Sequence, residues 1–200
     1  GGFVSGVDGD ALWLDGIDDF VSLSDYAVTT TEFTITAWAN HYGPGGGAYN
    51  RNPVFFQGDS NQRLGQGQSW VMLATLLDSS AGTGRFAINS ISDNEGGTFQ
   101  FLDFSAEPYE QWHHYAVTVG LDNITIYIDG EQILSEQNLQ TGDYTSSIDY
   151  INIGRARANG TTQGFFYGAI DDLRVYNYAL SAAEIQDIAE AEPVDPGLTY

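Results

Sequence analysis

Residues 112–130 run Trp112-His113-His114-Tyr115-Ala116-Val117-Thr118-Val119, then Gly120-Leu121-Asp122, then Asn123-Ile124-Thr125-Ile126-Tyr127-Ile128, and close on Asp129-Gly130. Both runs are rich in β-branched and aromatic residues, which fit a pleated, half-buried surface. Asp-Gly places two residues that tolerate positive φ where a two-residue hairpin turn needs them. The stretch therefore predicts two strands and the turn into a third.

The same pattern repeats on either side. Phe33-Thr34-Ile35-Thr36-Ala37-Trp38 alternates, with Phe33, Ile35 and Ala37 on one face and Thr34, Thr36 and Trp38 on the other. Ala11 to Leu14 precedes the turn Asp15-Gly16, and Phe20 to Leu23 follows it. Further runs fall at Pro53–Gln57, Ser69–Leu77, Arg85–Ile91, Thr98–Phe104, Tyr150–Ile153 and Gly164–Val175. About a dozen short strands separated by turn residues predict an all-β antiparallel sandwich or barrel rather than alternating strands and helices. One short helix is expected near the C-terminus, where Ser181-Ala182-Ala183-Glu184 has capping-box spacing ahead of Ile185 and Ile188. Residues 1–190 are read as one domain, and 191–200, with Pro193 and Pro196, as a linker.

Composition narrows the function. The chain has 27 acidic residues against six Arg and no Lys, for a formal net charge of −21. Duplex nucleic acid binding depends on neutralising phosphates with Lys and Arg, so nucleic acid is not an expected partner. Two readings of the acidity stay open: a solvated acidic surface, or carboxylates that hold a divalent cation. Cysteine is absent, which excludes disulfides and Cys-ligated zinc. His41, His113 and His114 are not spaced for a zinc site. No apolar run reaches the roughly 18 residues of a spanning helix, so no membrane insertion is expected.

Five stretches in order carry a resemblance. Ala11 to Val21, Phe33 to Trp38, Trp112 to Thr118, Ile124 to Gly130, and Gly168 to Asn177 followed by Ala179-Leu180-Ser181 resemble the successive landmarks of laminin-G-like, concanavalin A-like jelly rolls. The resemblance spans roughly residues 5–190. It implies a two-sheet antiparallel jelly roll in which the first and last strands are neighbours. It also implies a structural calcium near their junction, for which Asp15, Asp18, Asp19 and Asp171 are the candidates. Asp171 shares the strand parity of Leu173 and Val175 and so is expected to face the apolar side, where an unpaired carboxylate is costly. The competing reading has Asp15 and Asp171 capping turns or pairing locally.

The ligand is expected to be a neutral or anionic polysaccharide. With Lys absent, arginines in irregular stretches are candidates for a specific partner, because a guanidinium matches anions bidentately and stacks on flat faces. The irregular stretches are His41–Asn52 and Arg155–Gln163. The candidate binding residues are Tyr42, Tyr49, Asn50, Arg51, Arg63, Trp70, Arg155, Arg157 and Asn159. Internal ion pairing of the same arginines is the alternative. Trp38 and Trp112 are expected to pack between the sheets.

Catalysis is not expected. Related glycoside hydrolases carry paired acids on one strand in a Glu-x-Asp-x-x-Glu pattern, which sets nucleophile and acid on one face, and no such run occurs here. The resulting expectation is a non-catalytic carbohydrate-binding module of a secreted, bacterial, polysaccharide-degrading multidomain protein, tethered to catalytic or other domains. The alternative is a protein-interaction or adhesion domain at a cell surface.

Overall fold

The computed structural model describes residues 1–23, 28, 30–47, 51–58, 70–78, 82–92, 95–140, 150–158 and 161–191. Among them are fifteen strands and one helix. The chain begins with β1 (Gly2–Ser5), β2 (Asp10–Asp15), β3 (Val21–Leu23), β4 (Phe33–His41) and β5 (Asn52–Gly58). The middle holds β6 (Trp70–Asp78), β7 (Thr83–Ser92), β8 (Glu95–Ser105), β9 (His113–Val119), β10 (Asn123–Ile128) and β11 (Glu131–Gln137). It ends with β12 (Tyr150–Ile153), β13 (Arg155–Ala158), β14 (Thr161–Phe165), β15 (Tyr167–Tyr176) and α1 (Ala182–Glu190).

The strands form two large antiparallel sheets and a small hairpin. The seven-stranded sheet has the order β1-β2-β15-β4-β9-β10-β11, the six-stranded sheet β3-β12-β5-β6-β7-β8, and β13 pairs with β14. This is a jelly-roll sandwich. Alternation decides its core: Phe33, Ile35, Ala37 and Ala39 of β4 and Ile124, Ile126 and Ile128 of β10 meet Phe55, Val71, Leu73, Phe86, Ile88 and Leu102 of the opposing sheet. The Asp129-Gly130 turn forms as expected, with both residues at positive φ (52° and 81°). So does the capping box, in which Ser181 Oγ accepts from the Glu184 amide and Glu184 accepts from the Ser181 amide. Helix α1 seats Ile185 on Ala116, Tyr127 and Leu180, covering part of the outer face of the seven-stranded sheet.

Three expectations are corrected. Trp38 does not pack between the sheets. It lies opposite Asp171 and His114, at positions alternate to the core residues Ala37 and Ala39, and its ring contacts His114 on the outer face. The Arg155–Gln163 stretch is not an irregular loop; most of it forms the β13–β14 hairpin. The parity assigned to Asp171 fails because β15 carries a bulge. Asp171 pairs with Trp38 and Arg174 with Thr36, so Asp172 and Leu173 together oppose Ala37, and Asp172 takes a φ of 45°. Leu173 packs against the core while Asp171 points to the outer face with Ala169.

Candidate functional site

Three segments distant in sequence meet at one end of the sandwich: the β2–β3 turn, the β4–β5 connection and the β13–β14 hairpin. The Gly46 amide donates to the Gly16 carbonyl (2.8 Å), and the Phe165 amide donates to the Gly46 carbonyl (3.0 Å). A Cβ on Gly46 would lie 2.1 Å from the Gly16 oxygen, so this crossing admits only glycine. Asn52, fully buried at the start of β5, braces the connection by donating Nδ2–H to the Gly43 carbonyl (2.6 Å) and accepting from the Tyr167 amide (3.3 Å).

An aromatic trio sits beside this crossing. The Trp13 ring lies 5.1 Å from Tyr42 and 6.1 Å from Tyr167, and Tyr42 lies 6.2 Å from Tyr167. Tyr42 is exposed, while Trp13 and Tyr167 are half-buried. On the other side, Phe20 and Phe165 rings are 6.4 Å apart, and the Arg155 guanidinium lies 3.5 Å over the Phe20 ring. Arg155 Nη2 also donates to Asn152 Oδ1 (3.2 Å). Arg51 packs its backbone against Gly164, and Arg157 lies half-buried in β13.

The acidic turn borders the same end. Asp15, Asp18 and Asp19 each bring a carboxylate oxygen within 4.8 Å of the others. Asp15 Oδ1 accepts from the amides of Ile17 (2.8 Å) and Asp18 (3.3 Å), and Asp19 Oδ2 accepts from the Asp15 amide (3.2 Å). The amino group of Gly1 donates to Asp19 Oδ1 at 2.5 Å. The Ile17 amide above all holds the Asp15 carboxyl below the usual Asp range. An all-oxygen donor set of this kind suits calcium and supplies three of the about six to eight oxygens it takes.

Asp171 does not join that group. Tyr167 pairs with Asp15, so Asp171 lies four residues further along β15, about 13 Å away at strand rise. Its carboxylate is spent on backbone amides: Oδ2 accepts from Val7 (2.8 Å) and Asp8 (2.9 Å), and Oδ1 from Asp172 (2.8 Å). Trp70 also stands apart. It is 6% exposed at the start of β6, with its ring stacked on Phe56 at 6.5 Å, and Val71 beside it pairs with Gln57 at the end of β5 far from Asn52. Tyr49, Asn50, Arg63 and Asn159 lie outside the described residues.

Trp13, Phe20 and Tyr167 belong to this end although the sequence reading did not select them. For Trp13 the signal was present, since it alternates with the core-facing Leu12 and Leu14. Phe20 and Tyr167 gain their place from long-range pairing alone.

The architecture defines a two-sheet antiparallel jelly roll. The family model described as the concanavalin A-like lectin/glucanases superfamily matches residues 15–186, and the chain belongs to this family. Among solved structures, domain 4 of an extracellular GH43 arabinanase from Geobacillus stearothermophilus, in complex with arabinotriose, is 23% identical with a TM-score of 0.68, covering 94% of this chain and 80% of that one. The CBM40 domain of the Ruminococcus gnavus IT-sialidase, bound to α2,3-sialyllactose, is 15% identical with a TM-score of 0.69, covering 91% and 96%. A SAP-like pentraxin from Limulus polyphemus is 16% identical with a TM-score of 0.62, covering 92% and 83%. At these identities the likeness is one of fold. No curated protein matches the sequence.

Proposed function

We propose that this chain is a non-catalytic carbohydrate-binding module, part of a secreted multidomain protein, that holds a neutral or anionic polysaccharide for neighbouring domains. The observation that carries the reading is the convergence of the aromatic trio, the Arg155–Phe20 stack and the glycine-tight crossing at one end of the sandwich. Flat rings with a few fixed polar groups beside them suit a sugar, whose C–H faces pack on aromatics while its hydroxyls hydrogen-bond. The fold neighbours that are carbohydrate-binding domains support the same reading. Anchoring a polymer here raises the substrate concentration for a tethered domain.

A structural calcium on Asp15, Asp18 and Asp19 belongs to this proposal. It would neutralise three carboxylates that crowd one turn and so stiffen the β2–β3 segment against which the crossing packs.

One experiment tests both parts. The purified domain is run through native gels containing soluble neutral or anionic polysaccharides, with calcium and then with chelator. Retardation by at least one glycan, weakened about tenfold by Tyr42→Ala, is expected. A chelator should lower the thermal midpoint. No retardation by any glycan would move the function to protein interaction or adhesion, and a midpoint indifferent to calcium would remove the ion.

A further inference from the structure

The two edges of the seven-stranded sheet are built differently. Strand β11, at one edge, carries Glu131 and Glu136 and bulges at Ile133. Charge and bulges are devices that keep an edge strand from pairing with another chain. Strand β1, at the other edge, has neither. It pairs with β2 without a register shift, and its residues Gly2-Phe3-Val4-Ser5 include no charge and no proline. All four are exposed, and among the described residues no strand pairs with its outer side. Every second residue of an antiparallel edge strand turns its N–H and C=O away from its neighbour, so β1 presents free backbone donors and acceptors.

The two sides of the sandwich differ in the same sense. Where β8 and β11 meet, the Gln100 side chain ties the sheets together, donating from Nε2 to the Gln137 carbonyl (2.8 Å) and accepting from the Leu139 amide (3.0 Å). The edge strands β1 and β3 share the other side. Phe3 lies opposite Leu12 and Leu23 opposite Ile151, and Leu12 and Ile151 pack in the core, so both side chains face inward. They are nevertheless 74% and 38% exposed, and Phe3 is the most exposed large hydrophobic side chain among the described residues. An apolar contact thus stands beside the free backbone of β1, which is the combination that accepts an added strand: main-chain hydrogen bonds give affinity and the side chain gives selectivity.

We infer that β1 is a docking edge for an extended, basic segment of a partner polypeptide, which adds to the sheet as a further strand and packs an apolar side chain on Phe3. Charge selects the occupant. Asp8 and Asp10 are exposed at the Ser5 end of the strand, with Asp10 directly opposite Ser5. A Lys or Arg beside the strand residues of the partner meets both carboxylates there. A second copy of this chain fits poorly, because its own β1 brings no cation to Asp8 and Asp10 and two molecules of net charge −21 repel each other. The pairing uses four residues of edge, far less than the roughly 800 Å² per partner of a stable interface, so the contact is weak and salt-sensitive. It stands independently of the sugar-binding reading.

The test titrates a fluorescein-labelled peptide, Lys-Thr-Val-Thr-Val-Lys, with the purified domain at low salt and reads fluorescence anisotropy. Beside it run the same peptide with Glu in place of Lys and the same peptide N-methylated along its backbone. The basic peptide should bind and should raise the hydrogen-exchange protection of the β1 amides. The acidic and N-methylated peptides should bind at least about tenfold more weakly. Phe3→Ser and Asp8→Asn/Asp10→Asn should each weaken the basic peptide several-fold, whereas Ile133→Ser on the protected edge should not. All four positions are exposed, so each variant should keep the wild-type thermal midpoint. Binding that survives N-methylation, or that neither β1-side variant weakens, would be charge attraction without strand pairing and overturns the docking edge, as does no binding of the basic peptide. Sedimentation equilibrium of the domain alone completes the test: a monomer is expected, and a dimer that Phe3→Ser dissociates would make a second copy the occupant and overturn the basic segment.

Discussion

His114 shows how one buried side chain sets a pH limit on the whole domain. It is 1% exposed, its ring lies 5.4 Å from Trp38, and neither ring nitrogen has a hydrogen-bond partner among the described residues. Burial pushes its pKa down to about 4, opposed by Asp129 and reinforced by Arg174. His41, buried at the end of β4 with Nε2 on the Glu107 carbonyl (3.1 Å), is lowered for the same first reason. A histidine with a depressed folded pKa is neutral in the fold and takes a proton on unfolding. Its contribution is complete above the unfolded value of 6.5 and declines as pH falls from 6.5 towards 4. For His114 the loss across that window is on the order of 3 kcal/mol. Denaturant titrations should therefore show stability falling between these pH values, and His114→Phe should flatten the slope. An unchanged slope in the variant would place the proton uptake elsewhere.

At the scale of elements, the bulge in β15 connects two features that look unrelated in sequence. By turning Asp171 to the outer face, it lets one carboxylate gather the amides of Val7 and Asp8 and dock the β1–β2 turn. Gly6 is part of the arrangement, since a Cβ there would lie 2.2 Å from Asp171 Oδ2. Asp171→Ala leaves three part-buried amides, of Val7, Asp8 and Asp172, without their acceptor and should cost about 2–3 kcal/mol. The Val7 and Asp8 amides should lose hydrogen-exchange protection while the β4–β9 pairing keeps its own. Equal protection in variant and wild type would mean that the carboxylate does not hold the turn. The bulge was not legible beforehand because a period-two pattern carries no mark of an inserted residue. The Asp129-Gly130 turn and the Ser181–Glu184 capping box were legible because each is complete within four residues.

The whole molecule is governed by its excess of negative charge. Among the described residues, Arg85 and Arg174 are paired with Asp103 and Asp172, and Arg155 rests on Phe20. Arg85 and Arg174 are thus held by internal ion pairs, while Arg155 is held by a ring stack and by Asn152. Self-repulsion among the remaining carboxylates opposes compaction and is screened by salt. The thermal midpoint should rise by several degrees between about 10 mM and about 0.5 M sodium chloride. A flat or falling midpoint would mean that the surface ion pairs outweigh the net repulsion.

The expectation of sugar binding came from the family resemblance and the composition, whereas sequence alone was sufficient for the strands, the hairpin turn, the helix and the antiparallel sandwich. These rest on side-chain periodicity and turn chemistry, which act over a few neighbouring residues. Tertiary structure decided that Arg155 stacks on Phe20, that Asp171 faces outward on a bulge away from Asp15, and that Trp70 is covered while Phe99 and Phe101 are exposed. Each of those outcomes depends on which strands become neighbours and on what lies across the outer faces. Contacts between residues distant in the chain, from Trp70 with Phe99 to Arg155 with Phe20, set both, and no local pattern encodes them.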